Sequence, residues 1–427
     1  MALVLQNVSS AAAALLDELR DFCDFGSRTV SSAITAPEIG RVPVLTNEFW
    51  TSKQRAAHRL HEVSYRACFK PQLPRFFIER LTRPGDLVYD PFMGRGTTLV
   101  EGALLGRRVA GCDVNPLSRV FTAPRLSPPT IEEVADRLRS IDFSWDGEIR
   151  EDLRVFYHRS TLRQLTALRH YLLARIGSAR VDDTDRWIQM VATNRLTGHS
   201  PGFFSVYTLP PNQAVSVTSQ KRINARRSQT PPKRDVPALI LKKSRQLLAA
   251  GRARPPGAPP TLLTQSCEAT PQIADASVDL VVTSPPFLDT VDYAQDNWLR
   301  AWFCGFDLAA VPIWHLRNLS DWTAAMTTTF HELHRVLRPG GFVAFEVGEI
   351  RKGKLRLEER ALTAGLAAGL EPVLVLINDQ RFTKTANCWG VTNNSKGTNT
   401  NRLVLFQKPH CALGPRCFSE EGYLLVN

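Results

Sequence analysis

Residues 88–98 read VYDPFMGRGTT, and this is the stretch on which the fold turns. It closes an apolar strand (DLVYDPF, 86–92), bends through Gly94 and Gly96, and enters an apolar helix, TLVEGALLG. Glycines at such a turn let the backbone approach a ligand closely, and the helix behind them offers its positive N-terminus. Taken alone the signal is weak, because many tight strand-to-helix turns carry two glycines and bind nothing. The next strand, RVAGC at 108–112, runs into Asp113. A carboxylate there can accept hydrogen bonds from ribose hydroxyls, or it can cap the helix that starts near Pro116.

Working outward, short apolar β-rich runs alternate with helical stretches. The strand candidates are 86–90, 108–112, 261–265, 278–283, 341–347, 371–377 and 402–407. Seven such runs separated by helices describe an open, mostly parallel sheet covered on both faces, an α/β fold. The spacing fails once, between the second and third candidates, where a crossover needs far fewer residues than are present. An inserted region is therefore expected over 118–260. Its first part is helical in pattern (IEEVADRLRS at 131–140, STLRQLTALRHYLLARI at 160–176), and 194–260 is rich in Pro, Ser, Thr, Asn and Arg. Before the core, 9–23 reads as a helix capped by Ser9 or Ser10, followed by a polar, Pro-containing stretch to about residue 50.

The 427 residues suffice for a catalytic core with an added part, and 43% hydrophobic with 22% charged residues is an ordinary globular composition. No apolar run reaches membrane-spanning length, and Asp17, Glu18 and Arg20 interrupt the apolar start, so a cytoplasmic protein without a secretory signal is expected. The eight cysteines are scattered with no C-x-x-C pair, and His331 and His334 have no further ligand candidates near them, so no metal site is expected. The net charge is +12. Residues 221–254 hold eleven cations (Lys221, Arg222, Arg226, Arg227, Lys233, Arg234, Lys242, Lys243, Arg245, Arg252, Arg254) against one acid, Asp235. A solvated loop would read the same way, but beside an enzyme core the stretch suits phosphate contacts.

The second informative run is DASVDLVVTSPPFLD, in which Ser284, Pro285, Pro286 and Phe287 follow a strongly apolar strand. Consecutive prolines cannot donate backbone hydrogen bonds, and their carbonyls are free to accept. A hydroxyl beside such carbonyls suits an amine substrate. Methylation of cytosine at C5 requires a thiolate, typically in a Pro-Cys dipeptide, and no cysteine here follows a proline.

DPFMGRGTT followed by AGCDVNP resembles motifs I and II of the DNA amino-methyltransferases, TSPPF resembles their motif IV, and HEVSYRACFKPQLP (61–74) is similar to the motif X segment that closes over the methionine end of the cofactor. The resemblance spans most of 50–410 apart from the insert. It implies a Rossmann-like S-adenosylmethionine-dependent methyltransferase fold with a mostly parallel seven-stranded sheet and an inserted target-recognition domain. The corresponding boundaries are a helical N-terminal extension (1–50), a catalytic domain (51–117 and 261–410), the helical and basic insert (118–260) and a C-terminal tail (411–427). It further implies that Asp90, Pro91, Phe92, Gly94 and Gly96 surround the methionine part of S-adenosylmethionine, that Asp113 meets the ribose, and that Lys70, Pro71, Thr98 and Asn115 lie nearby. Cys267 and Glu268 fall where the family contacts adenine. Ser284, Pro285, Pro286 and Phe287 are the catalytic residues implied, with Phe287 stacking on a base flipped out of double-stranded DNA.

Ser before the two prolines accompanies cytosine N4 in the family, whereas Asp or Asn usually accompanies adenine. The order of the halves here, motifs X, I and II before IV, is the opposite of that common among SPP enzymes, which leaves adenine N6 open. An RNA guanine-N2 methyltransferase and an inactive DNA-binding homologue are further alternatives. A cognate restriction endonuclease is a compatible partner. Lys221, Arg222, Arg226 and Arg227 are the DNA-binding candidates for phosphates, and Asn194, Arg195, Asn212, Gln213, Gln220 and Asn224 those for base edges. Asp292, Tyr293, Asp296, Asn297 and Trp298 either line the pocket or pack the next helix.

Overall fold

The computed structural model describes residues 9–51, 57–66, 68–208, 213–251, 257, 259–286, 293–347, 349–350, 355–380 and 400–410. In chain order the strands are β1 (Val30–Ala36), β2 (Gly40–Asn47), β3 (Leu87–Asp90), β4 (Arg108–Cys112), β5 (Thr261–Leu263), β6 (Val278–Thr283), β7 (Leu337–Val347), β8 (Glu349–Ile350), β9 (Leu355–Arg356), β10 (Glu371–Asp379) and β11 (Thr400–Gln407). The helices are α1 (Ser10–Asp21), α2 (Gln72–Leu81), α3 (Thr97–Leu104), α4 (Pro116–Leu126), α5 (Ile131–Ser140), α6 (Arg159–Gly177), α7 (Asp183–Arg195), α8 (Val217–Arg226), α9 (Val236–Leu248), α10 (Tyr293–Cys304), α11 (Leu319–Val336) and α12 (Leu357–Ala367). All seven strands expected from apolar patterning are present, and the fold is α/β and Rossmann-like. Two compact units divide the chain: 1–51 with 268–282 and 318–427, and 52–267 with 283–317.

In the first unit the strands follow the order β1-β2-β10-β11-β7-β6. β10 runs parallel to β2 and antiparallel to β11, which is antiparallel to β7. Phe330 of α11 anchors the helical layer, 4.7 Å from the Phe345 ring and 5.2 Å from that of Phe406. Where a helical extension is expected over 1–50, α1 is the only helix among the described residues of that span, and β1 and β2 form a hairpin that lengthens the ladder. Two features hide it in the sequence. β1 is exposed along most of its length, so VSSAITA lacks the alternation of a half-buried strand. β2 contains Pro43, which is tolerated because pairing with β10 begins one residue later, at Val44.

In the second unit β3, β4 and β5 are parallel. The insert fills the connection between β4 and β5 with helices, and these share one apolar core with the helix of the glycine turn. Leu99 and Val100 of α3, Phe121 of α4, Leu165 of α6, Trp187 of α7, Ile240 of α9 and Leu299 of α10 belong to a single buried cluster. Polar ties reinforce it: the Trp187 indole donates to Ser244 Oγ at 2.9 Å, and buried Asp185 pairs with Arg137 and Arg175. Among the described residues no helix is long and apolar enough to cross a membrane.

Candidate active site

β3 delivers Asp90 at its carboxyl end, 1% exposed. Its carboxylate accepts from the Phe92 N–H at 3.1 Å, from the Thr98 hydroxyl, and from the Thr283 hydroxyl at 2.7 Å. Burial still dominates and pushes the carboxyl up to about 7. Gly94 and Gly96 have φ of +48° and +72°. Gly96, the N-cap of α3, is required twice, because a Cβ there would also stand 2.3 Å from Thr122 Oγ1. At Gly94 a Cβ would meet nothing closer than 3.8 Å.

The Gly94 N–H donates to Asp113 Oδ2 at 2.9 Å, and the Asn115 N–H donates to Oδ1 at 2.8 Å. The helix cap is Asn115, whose side chain accepts from the Leu117 N–H at 3.1 Å. Of the two roles open to Asp113, capping is therefore taken by its neighbour, and the Asp113 carboxylate keeps acceptor capacity for a ligand. Burial raises its carboxyl above the ordinary aspartate value as well.

A single cavity gathers the two halves of the motif set. Seven of the expected cofactor residues, Asp90, Pro91, Phe92, Gly94, Asp113, Asn115 and Cys267, line it together with Ser284 and Pro286. Thr283, at the end of β6, ties the Ser284–Pro286 loop to the glycine turn through its bond to Asp90. Lys70, Pro71, Gly96, Thr98 and Glu268 are not among the lining residues. Pro71 is buried as the N-cap of α2, Lys70 is half-buried, and Thr98 acts through Asp90. Pro285 is buried and not among the lining residues, and Phe287 lies outside the described residues.

The cavity also has walls that patterning does not single out. Tyr65, Cys68 and Phe69 come from the segment before α2, within the motif X resemblance but upstream of its Lys70–Pro71 pair. Ile313 and Trp314 come from the loop after α10, and the Trp314 ring lies 5.8 Å from that of Phe92. An aromatic in an irregular Pro-containing loop carries no periodic signal. Burial raises the Cys68 thiol above its ordinary pKa, so it is protonated at neutral pH.

In the insert, Lys221, Arg222, Arg226 and Arg227 are all exposed on or just after α8. The Arg227 guanidinium sits 3.8 Å over the Tyr207 ring. Lys243, by contrast, is buried in an ion pair with Glu62 at 2.9 Å, and Arg252 and Arg254 lie outside the described residues. The candidates for base contacts turn inward. Asn194 donates to Ser64 O at 3.1 Å, Gln213 accepts from Arg66 at 3.1 Å, Gln220 donates to Tyr207 O at 3.0 Å and Asn224 donates to Val155 O at 2.8 Å. Arg195 packs over Phe203 at 4.0 Å, and Asn212 lies outside the described residues. Asp296, Asn297 and Trp298 pack α10 through bonds to Arg66, Arg300 and Val215 O, whereas Asp292 and the Tyr293 side chain are not described.

Residues 41–118 match the family model of the DNA methylases N6_N4_Mtase. The chain is 34% identical over 116 residues to Type II methyltransferase M.MvaI of Kocuria varians, covering 26% of this chain and 24% of that protein. It is 26% identical over 134 residues to a tRNA (guanine(10)-N2)-dimethyltransferase of Methanocaldococcus jannaschii, covering 29% and 38%. With Type II methyltransferase M.BsoBI of Geobacillus stearothermophilus it shares 23% identity over 295 residues, 61% of this chain and 55% of that one. The alignments thus span about a quarter to about half of the relatives' lengths. The family match spans β2–β4 and the glycine turn, so this part of the chain is similar to the DNA methylases of that family.

Proposed function

We propose that the chain is a site-specific DNA methyltransferase that transfers a methyl group from S-adenosylmethionine to an exocyclic base amine, with N4 of cytosine the favoured target. The observation that carries the reading is the meeting of Asp90, Gly94 and Asp113 with Ser284 and Pro286 in one cavity, closed by the hydrogen bond from Thr283 to Asp90. The donor set fits the cofactor: two carboxylates suit a cationic amine and ribose hydroxyls, and Phe92, Met93 and Val114 supply apolar surface. Bound there, S-adenosylmethionine supplies an electrophilic methyl group.

The remaining work falls to the acceptor loop. The Ser284 hydroxyl and the Pro285 carbonyl would accept the two amine hydrogens and draw the nitrogen toward tetrahedral geometry, freeing a lone pair otherwise delocalised into the ring; as the new N–C bond forms the methyl's bond to sulfur would break to leave the neutral thioether, and one amine hydrogen would depart as a proton to solvent. No enzyme nucleophile is needed, and the protonated Cys68 offers no thiolate for attack on a ring carbon. The target atom is out of reach inside a duplex, so the base is flipped, with Phe287 as its stacking partner and the α8 cations on the phosphates. A cytoplasmic location and a cognate restriction endonuclease accord with this reading. The similarity to a tRNA guanine methyltransferase supports an RNA guanine amine as the second reading.

Incubation with labelled S-adenosylmethionine and plasmid DNA from a methylation-deficient host, followed by digestion to nucleosides and mass analysis, tests it. N4-methyldeoxycytidine is expected. N6-methyldeoxyadenosine would move the target to adenine, and labelling of tRNA but not of duplex DNA would overturn the DNA reading. Ser284→Ala should lower transfer by roughly a hundredfold or more, the scale of one preorganised polar contact, with cofactor binding retained. Parallel loss of both would remove Ser284 from the chemistry.

A further inference from the structure

Residues 62–66 and 68–70 have no regular secondary structure, and Tyr65, Cys68 and Phe69 among them line the cavity. Their backbone is satisfied largely by side chains from elsewhere in the same unit. Arg95, between the two glycines of the turn, donates to Val63 O at 2.8 Å and to Phe69 O at 3.3 Å. Ser64 O receives two donors, Asn194 Nδ2 at 3.1 Å and Arg300 Nη2 at 3.0 Å. Arg66 Nη1 reaches Asp296 Oδ2 at 2.5 Å. Both Arg300 and Asp296 stand on α10, the helix that follows the acceptor loop.

Tyr65 lies between these two attachment points. Its ring lines the cavity and meets Phe121 edge-on at 5.6 Å, and its hydroxyl accepts from Asn115 Nδ2 at 3.2 Å. The Arg300 guanidinium is 4% exposed, 5.3 Å from the Phe121 ring and 5.9 Å from that of Tyr65, with Nη1 donating to Asn297 Oδ1 at 2.9 Å. A planar guanidinium that donates in two directions holds a carbonyl at a set distance, which a flexible ammonium does not.

We propose that Arg300 and Asp296 are positioning residues for methyl transfer: from the helix that follows the Ser284–Pro286 loop, Arg300 holds the Ser64 carbonyl and Asp296 the Arg66 side chain, and together they set Tyr65 against the bound cofactor. The acceptor side of the cavity thereby determines the shape of its cofactor side. This inference rests on the methyltransferase reading above, and its test separates the two.

Calorimetric titration of the full chain with S-adenosylmethionine, without DNA, compares the wild type with Asp296→Asn, Tyr65→Ala and the double variant, and thermal melts run alongside. Asp296→Asn should weaken binding about five- to tenfold, the scale of one charge-assisted hydrogen bond, with little change in Tm. In the Tyr65→Ala background the same substitution should change binding less than about twofold, because groups acting through a shared neighbour are not additive. Arg300→Lys, which keeps the charge and loses the planar fork, should weaken binding in the same background-dependent way. Equal effects in both backgrounds, or a drop in Tm with unchanged affinity, would overturn the positioning role. A folded wild type that binds no S-adenosylmethionine would overturn the functional reading and this inference with it.

Discussion

The glycine turn and the basic insert use polar side chains in opposite ways. Between Asp90 and Asn115 the polar groups are held by bonds to nearby backbone, such as Gly94 N–H to Asp113 and Phe92 N–H to Asp90, and they still line the cavity. In the insert, the amides of Asn194 and Asn224 are consumed by carbonyls 130 and 69 residues away and that of Gln220 by the Tyr207 carbonyl, and the exposed polar surface of α8 is made by cations. A strand-turn-helix motif dictates where its side chains point through the backbone alone. A helical insert does not, because the partners of each amide depend on what packs beside it.

The comparison breaks most visibly under charge removal. Neutralising Lys221, Arg222, Arg226 and Arg227 together should weaken DNA binding by roughly a hundredfold or more near 0.1 M salt, and should lower the salt slope by about 0.9 for each phosphate that is no longer neutralised. Filter binding across a salt series checks it, with Gln220→Ala as the control: that variant should lose stability and leave the slope unchanged. An unchanged slope in the quadruple variant would make α8 a merely solvated face.

The next effect lies in the turn. Gly96→Ala should cost about 2–4 kcal/mol, combining left-handed backbone strain with overlap on Thr122, whereas Gly94→Ala should cost only the strain, about 1–2 kcal/mol. Denaturant melts of the two variants measure the difference directly. Equal costs would show that Thr122 simply moves aside.

The smallest effect is a pH dependence. The Asp90 carboxyl is raised to about 7, so the ligand-free protein gains stability from its protonation, present in acid and lost as pH rises through 7. A cationic ligand amine favours the ionised form, so affinity for S-adenosylmethionine should climb by up to about tenfold between pH 6 and 7.5. Titrations at both pH values check the trend, and Asp90→Asn should flatten it. A falling or level wild-type profile would remove Asp90 from contact with the amine.

The legibility of the sequence follows the same division. Buried strands announce themselves as apolar runs, which is why β3, β4, β6, β7 and β10 stand where patterning puts them. The β1–β2 hairpin does not, since one strand is exposed and the other carries Pro43. In the cavity, Asp90, Gly94, Asp113 and Ser284 are readable because each sits at the end of a strand, one step beyond one, or in a turn with special backbone needs. Tyr65 and Trp314 are not, because irregular segments reach the cavity only through tertiary bonds such as those of Arg95 and Arg300. Lys70 and Pro71 sit one or two residues too far along, where the chain has already turned into α2.

The bond between Thr283 and Asp90 joins positions 193 residues apart, whereas those within the glycine turn span 19 or fewer. Loop closure over such a distance comes late in folding, after local contacts have formed. In a chain made from its N-terminus the glycine turn precedes residue 283, so the Asp90 carboxylate waits for its Thr283 donor and the cavity for its Ser284 wall. On the proposed function, the site is complete only once that last long-range bond is made.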